Sequence, residues 1–160
     1  MSRSTALFLS LALSLTASCG GGGDPKEDGF SALQSGDHAG AAKHFQAALD
    51  ARTSADADFV EVAVARCQAL AHTDADAAKA EFMKLAGANG TKLEINDYTI
   101  VISELQSAGN FLQAIDVLDV AIKKNPEAPK LVKVKDKLVA ESQKNADPAV
   151  LEKLKGLGYL

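Results

Sequence analysis

Histidine and cysteine, the residue types that most often carry catalysis or bind metal, are few in this chain. The histidines are His38, His44 and His72, and the cysteines are Cys19 and Cys67. His38 and His44 are six residues apart with no cysteine beside them, and this spacing is unlike that of a zinc site. We therefore expect solvated surface histidines, and no metal site.

Cys67 lies in an Ala- and Val-rich stretch, residues 62–70, with no histidine placed to form a catalytic pair. A catalytic cysteine needs a neighbour that lowers its pKa and stabilises the thiolate. We interpret Cys67 as a small hydrophobic residue that packs in a core or a groove.

Carboxylates cluster at two places, with Asp56, Asp58 and Glu61 in one cluster and Asp74 and Asp76 in the other. Acid–base catalysis would need one of them desolvated, and alanine-rich neighbours predict no pocket. Because both clusters fall near expected helix starts, we interpret them as groups that stabilise the helix macrodipole. The chain has no phosphate-binding glycine loop, nucleophile elbow or dinucleotide fingerprint. The sequence therefore predicts no catalytic residues, no enzyme activity and no cofactor.

Charge is unevenly distributed along the chain. The formal net charge of −4 argues against nucleic acid as the main partner. Residues 24–122 hold 7 basic and 16 acidic side chains, whereas residues 123–160 hold 9 basic and 5 acidic ones. Two interpretations of the basic end stay open: a solvated helix face, which is the simpler one, or a site for an anionic partner.

The N-terminus has the three-part layout of a secretory signal. Arg3 supplies a positive charge, residues 6–15 an apolar run and residues 16–18 small side chains. The apolar run is shorter than the roughly 20 residues of a membrane-spanning helix. Residues 1–18 are therefore expected to be a signal peptide.

Residues 15–19, Leu-Thr-Ala-Ser-Cys, resemble the bacterial lipobox. This resemblance implies that Cys19 is lipidated and that residues 19–24, which include four consecutive glycines, form a flexible tether to a membrane. Because Gly20 follows Cys19 where Asp is associated with the inner membrane, the periplasmic side of the outer membrane is the expected location. The alternative is that an ordinary signal peptidase cuts near Ala17 or Ser18 and that Cys19 is incidental.

A recurring pattern organises the rest of the chain. A turn residue is followed by a small alanine, a bulky apolar residue and a small or apolar residue at fixed offsets. The three copies are Gly36, Ala41, Phe45 and Ala48; Thr73, Ala78, Phe82 and Leu85; and Gly109, Ala114, Leu118 and Ala121.

This pattern resembles the second half of a tetratricopeptide repeat, a helix pair of about 34 residues. The resemblance implies an all-α fold over residues 25–160: a right-handed helical-hairpin repeat array of about three units with C-terminal capping helices. The patterns predict helices near residues 25–35, 55–71, 76–86, 96–108, 111–124, 129–144 and 148–156, and a loop at residues 87–90.

In tetratricopeptide arrays the first helix of each pair lines a concave groove. The resemblance therefore implies a peptide groove formed by Val60, Ala63, Cys67, Leu70, Asn96, Thr99, Ser103 and Gln106. Apolar anchors beside polar side chains suit an extended peptide or a partner helix.

These features predict a non-enzymatic, membrane-tethered module for protein–protein interaction or scaffolding in the bacterial cell envelope, with a protein or peptide partner. Two alternatives stay open. One is an accessory subunit of an envelope assembly or secretion complex. The other, from a different class, is an envelope hydrolase or small-ligand-binding protein with an unrecognised site.

Overall fold

Local sequence signals set several helix boundaries. In the computed structural model, which describes residues 23–88 and 93–160, Pro25 begins the first helix and the Asp24 carboxylate accepts a hydrogen bond from the Lys26 backbone N–H at 2.9 Å. Gly36 ends this helix with a φ of 82°, a conformation that favours glycine. Asp147 caps the last helix as Asp24 caps the first, and its carboxylate accepts a hydrogen bond from the Ala149 N–H at 2.8 Å.

Helices are the only regular secondary structure in the described part of the chain, so the predicted all-α class is confirmed. The eight helices of this part are α1 (Pro25–Ser35), α2 (His38–Asp50), α3 (Phe59–Ala71), α4 (Ala75–Ala88), α5 (Ile95–Ser107), α6 (Phe111–Lys124), α7 (Pro129–Asn145) and α8 (Pro148–Gly156).

Consecutive helices pack as hairpins: α1 with α2, α3 with α4, and α5 with α6. Across the hairpins, α1 contacts α3, α3 contacts α5, and α4 contacts α6. The helix α7 packs on α5 and α6, and α8 packs on α6 and α7. We call α1–α6 the body and α7 with α8 the tail.

The positions that recur in the sequence are core positions. Most of them are fully buried: Ala41, Phe45, Ala48, Ala78, Phe82, Ala114, Leu118 and Ala121. The alanines let helices approach closely while the bulky residues fill the space between them. Two edge-on aromatic pairs join neighbouring helices, Phe30 with Phe45 and Phe82 with Tyr98, with ring centroids 5.0 and 5.2 Å apart.

Gly29 is a buried residue of α1 that allows a close contact with α2. A Cβ atom at this position would lie 2.6 Å from Cε1 of Phe45, whose side chain is fully buried. Glycine in a helix interior is normally unfavourable because of its backbone entropy. Here the approach of the Phe45 ring accounts for it.

Two boundaries differ from those predicted. The helix α3 begins at Phe59 and not near residue 55, because a turn precedes it in which the Asp56 carboxylate accepts hydrogen bonds from the Thr53 N–H and hydroxyl at 2.6 and 3.1 Å. The helix α4 continues through Gly87 to Ala88, so the first two residues of the predicted loop are helical. Its other two residues, 89 and 90, lie outside the described residues.

The expected signal peptide and Cys19 also lie outside the described residues. Within residues 23–88 and 93–160, none of the helices combines the length and the apolar character that crossing a membrane requires.

Candidate functional site

The helix α3 is apolar around most of its circumference, which is typical of a helix covered by neighbours on several sides. It contacts α1, α2, α4 and α5. Two open grooves remain along it. We call the groove between α1, α3 and α5 the acidic groove, and the groove between α2, α3 and α4 the mixed groove.

The acidic groove consists of two adjoining cavities of about 380 and 570 Å³ that share Phe30 and Gln68. Its apolar lining comes from Phe30, Leu33, Val60, Val64, Ala65 and Ile100. Among the described residues, its charged lining consists of four carboxylates: Glu27, Glu61, Glu94 and Asp97. This combination of an apolar floor and a negative rim suits a protein surface that carries both apolar and basic groups.

Three of the rim carboxylates are held in place by local contacts. Glu94 and Asp97 form a capping box at the start of α5, in which Asp97 accepts from the Glu94 N–H at 2.8 Å. Glu61 accepts from Nζ of Lys26, 2.5 Å away. Glu27 is exposed and forms no ion pair with any described residue. The rim is therefore partly ordered before any partner binds.

Asp58 ties α1 and the turn before α3 to the start of α3. Its carboxylate accepts from Nε and Nη2 of Arg52, both at 3.0 Å, and from Nζ of Lys26 at 3.2 Å. Hydrogen bonds from Arg52 and then from Lys26 lower the pKa of Asp58 from 3.8 to about 2. Asp58 lies at the start of α3 as predicted, in the N-cap position, but its side chain makes no capping hydrogen bond. Asp74 does cap α4, accepting from the Ala77 N–H at 3.0 Å.

The mixed groove has a volume of about 420 Å³ and contains the one cysteine of the described residues. Cys67 is 1% exposed, and burial raises the pKa of its thiol to about 12 although the charge of Arg66 opposes the shift. Arg66 is paired with Glu81 across this groove. Because the thiolate is the reactive form of cysteine, Cys67 is inert near neutral pH and packs as a small hydrophobic residue.

Two of the three histidines are brought together. The rings of His38 and His72 stack with centroids 3.9 Å apart and planes 7° apart, and Nε2 of His72 lies 3.0 Å from a carboxylate oxygen of Glu104. The prediction of a solvated side chain is wrong for His38. Its Nδ1 atom is buried and has no hydrogen-bond partner among the described residues. Across residues 23–88 and 93–160, no three His, Cys, Asp or Glu side chains are grouped in a way that could hold a metal ion.

The members of the predicted peptide groove on α3 lie on different sides of that helix. Val60 lines the acidic groove, whereas Ala63 and Cys67 line the mixed groove. Leu70 is buried, 8% exposed. The structure therefore does not gather these four residues in one groove.

The members on α5 are also dispersed. Thr99 is buried, and its hydroxyl donates to the Asn96 carbonyl at 2.9 Å. The Asn96 side chain accepts from Nζ of Lys130 at 2.8 Å, and Gln106 donates to Glu141, so both side chains contact α7. Ser103 is exposed. Peptide binding by these residues stays a prediction.

Apart from Val60, the residues that line the acidic groove were not predicted from the sequence. A signal for them exists on α3, where Val60, Glu61, Val64, Ala65 and Gln68 follow the spacing of one edge of a helix. Phe30 and Ile100 join this edge only through helix–helix packing. The spacing of residues along the chain therefore could not show that Phe30 and Ile100 lie beside this edge of α3.

These elements define an all-α protein of packed helical hairpins with open grooves on two sides of a central helix. The sequence model of the Mu-like prophage major head subunit gpT family matches residues 30–141, from within α1 to within α7. This match covers well over half of the chain, and the chain belongs to that family. No curated protein and no solved structure matches the chain.

The family match corrects the identification drawn from short motifs. A family of phage head subunits is not a family of tetratricopeptide lipoproteins, so that identification is wrong. The membrane-tethered scaffold function, its two envelope alternatives and the outer-membrane location are wrong with it. The physical reason is that alternating small and bulky residues are needed wherever two helices pack closely, so this pattern does not identify one repeat family. A short apolar run before a cysteine is likewise not specific to lipoproteins.

Proposed function

We propose that this chain is a structural, protein-binding subunit of a Mu-like phage head and that it is not an enzyme. The family match over residues 30–141 carries the proposal, because it spans the whole body except the first turns of α1 and includes most of α7. The acidic groove lies within this range apart from Glu27. The proposed function therefore rests on the surface of the helices within the matched range.

The groove chemistry supports a protein partner over a nucleic acid. A surface for phosphates would need lysine or arginine, whereas the charged groups lining the acidic groove are all carboxylates. Apolar side chains on the floor stabilise a complex by roughly 25 cal/mol for each Å² removed from water. The rim charges select the partner and orient it.

We also infer that residues 25–160 form one folding unit in which the hairpins stack as a right-handed repeat array, with the tail as its cap. The lateral contacts of α3 with α5 and of α4 with α6 support this arrangement. The regular offsets from Gly36 and Gly109 to their alanines support it as well. A rigid array of this kind can present its grooves in a fixed geometry.

The test is to purify head particles by density gradient from cells in which the prophage carrying this gene is induced. We expect mass spectrometry to find the chain in the particles at a copy number comparable to that of other head proteins. A strain with the gene deleted should show fewer or malformed heads by electron microscopy, and a plasmid copy should restore them. Absence from the particles, together with normal heads in the deletion strain, would reject the proposal.

A further inference from the structure

The outer side of α7 carries a stripe of lysines. Lys130, Lys133, Lys137 and Lys144 follow one another at intervals of three, four and seven residues, which places them along one side of a helix. All four are exposed, while Leu131, Leu138 and Ser142 face the body. We call these four residues the lysine stripe.

Much of the charge of the lysine stripe is not neutralised by the residues that the structure describes. Lys133 and Lys144 form no ion pair with any described residue, and Nζ of Lys137 is 4.0 Å from a Glu141 carboxylate oxygen. Nζ of Lys130 donates to the neutral amide of Asn96. The stripe therefore presents several cations to an outside partner.

The acidic groove is complementary to the lysine stripe in charge. Among the described residues, four carboxylates and no cation line the groove, although Lys26 offsets part of the charge of Glu61 from outside the lining. Exposed ion pairs contribute only about 0–1 kcal/mol each. Several of them acting together with the apolar floor are therefore needed to hold a partner.

The two surfaces also agree in length. Fourteen residues separate Lys130 from Lys144, which corresponds to about 21 Å along a helix at about 1.5 Å per residue. The acidic groove crosses α1, α3 and α5, and neighbouring helix axes lie about 8–10 Å apart, so it extends over about 16–20 Å. A helix of this length that lies across the groove can place its lysines over α1, α3 and α5.

We propose that α7 of a second copy of this chain docks across the acidic groove, with its lysine stripe against the carboxylate rim. This inference rests on the proposed structural role and names the partner. Val132, 47% exposed, lies on the other flank of α7 and is not part of the contact. Because each copy has both a stripe and a groove, the contact is heterologous and can repeat from copy to copy, as assembly of a shell requires.

The test is sedimentation velocity of the purified full chain at low salt, about 0.05 M, and high salt, about 0.5 M, where exposed charges are strongly screened. Two double variants reverse one surface each: Lys133→Glu with Lys137→Glu for the stripe, and Glu27→Lys with Glu61→Lys for the groove. Lys43→Glu with Lys155→Glu is the matched control, since both lysines are exposed and lie on α2 and α8. Circular dichroism checks that each variant is folded.

We expect the wild type to self-associate at low salt and to dissociate at high salt. Each reversal should weaken association by about tenfold or more, because like charges then face each other, whereas the control should match the wild type. An equimolar mixture of the two reversed variants should associate again, since an acidic stripe then meets a basic groove.

A wild type that stays monomeric at its highest soluble concentration in low salt would overturn the proposal, and so would reversals without effect or a mixture that does not recover. If the chain is monomeric alone and yet present in purified heads, self-docking is rejected while the structural role stands. If the chain self-associates but is absent from heads, and heads are normal without its gene, the structural role is rejected while self-docking stands.

Discussion

The central helix of the body and the long helix of the tail make opposite uses of the same secondary structure. Seven of the 13 residues of α3 are buried, against three of the 17 of α7. The helix α3 is enclosed by four other helices, so its composition is set by packing. The helix α7 covers α5 and α6 with one side and leaves a charged side outside. Burial of α3 in the body thus stabilises the fold, whereas α7 in the tail keeps a charged side exposed.

The first prediction makes the same change in both helices. Val62 on α3 is fully buried and Val132 on α7 is 47% exposed. Val62→Ala should lower the free energy of unfolding by about 2 kcal/mol, because buried methyl groups are lost and a cavity remains. Val132→Ala should change it by less than about 0.5 kcal/mol.

Urea denaturation followed by circular dichroism measures both changes. Equal losses at the two positions would mean that α7 is as enclosed as α3, and the contrast between body and tail would be lost. Unchanged slopes of the unfolding free energy against urea would show that both variants keep the same extent of folding.

The second prediction fills the space beside a helical glycine in each region. Gly29→Ala should destabilise the body by about 1–2 kcal/mol, because the new Cβ overlaps the enclosed Phe45 ring and this exceeds the gain in helix propensity. At Gly156, the last residue of α8, no neighbouring atom lies within 4 Å of the added Cβ. Gly156→Ala should stabilise the protein by up to about 0.5–1 kcal/mol.

Melting temperatures of the two alanine variants and the wild type test this pair. A stabilising Gly29→Ala would show that Phe45 moves aside at little cost. If the overlap causes the loss, Gly29→Ala should cost less in a Phe45→Leu background than in the wild type, because a smaller side chain makes room for the Cβ.

These contrasts also separate what the sequence could predict from what it could not. Features set within a few residues were predictable: Asp24 with Pro25 starts α1, Gly36 ends it, and the fixed offsets from Gly109 locate Ala114 and Leu118 in the core. Each depends on backbone conformation or helix period, which act locally.

Contacts between helices were not predictable from spacing. Asp58 is adjacent to α3 and was therefore assigned to that helix, yet its partners are Arg52 before the turn and Lys26 on α1. His38 begins α2 and His72 follows α3, so their rings likewise meet only because these two helices pack together. The acidic groove is of the same kind, since it exists only after α1, α3 and α5 have packed together.

The third and smallest prediction concerns acid stability. The Arg52 and Lys26 hydrogen bonds hold the pKa of Asp58 at about 2, below its ordinary 3.8, so folding favours the ionised carboxylate. Its stabilising contribution is therefore present above about pH 4 and is lost as the pH falls toward 2. Asp58→Asn should melt at a lower temperature than the wild type at pH 7, and the difference should shrink between pH 4 and pH 2.

The matched control for this titration is Asp136→Asn in the tail. The Asp136 carboxylate is 67% exposed and lies 3.6 Å from Nζ of Lys135, a contact of the kind that contributes little in water. Its melting temperature should follow that of the wild type at every pH. If Asp58→Asn differed from the wild type by the same amount at pH 7 and at pH 2, the ion pairs of Asp58 would not be the source of its effect. The loss would then come from altered packing at the start of α3, which does not depend on protonation.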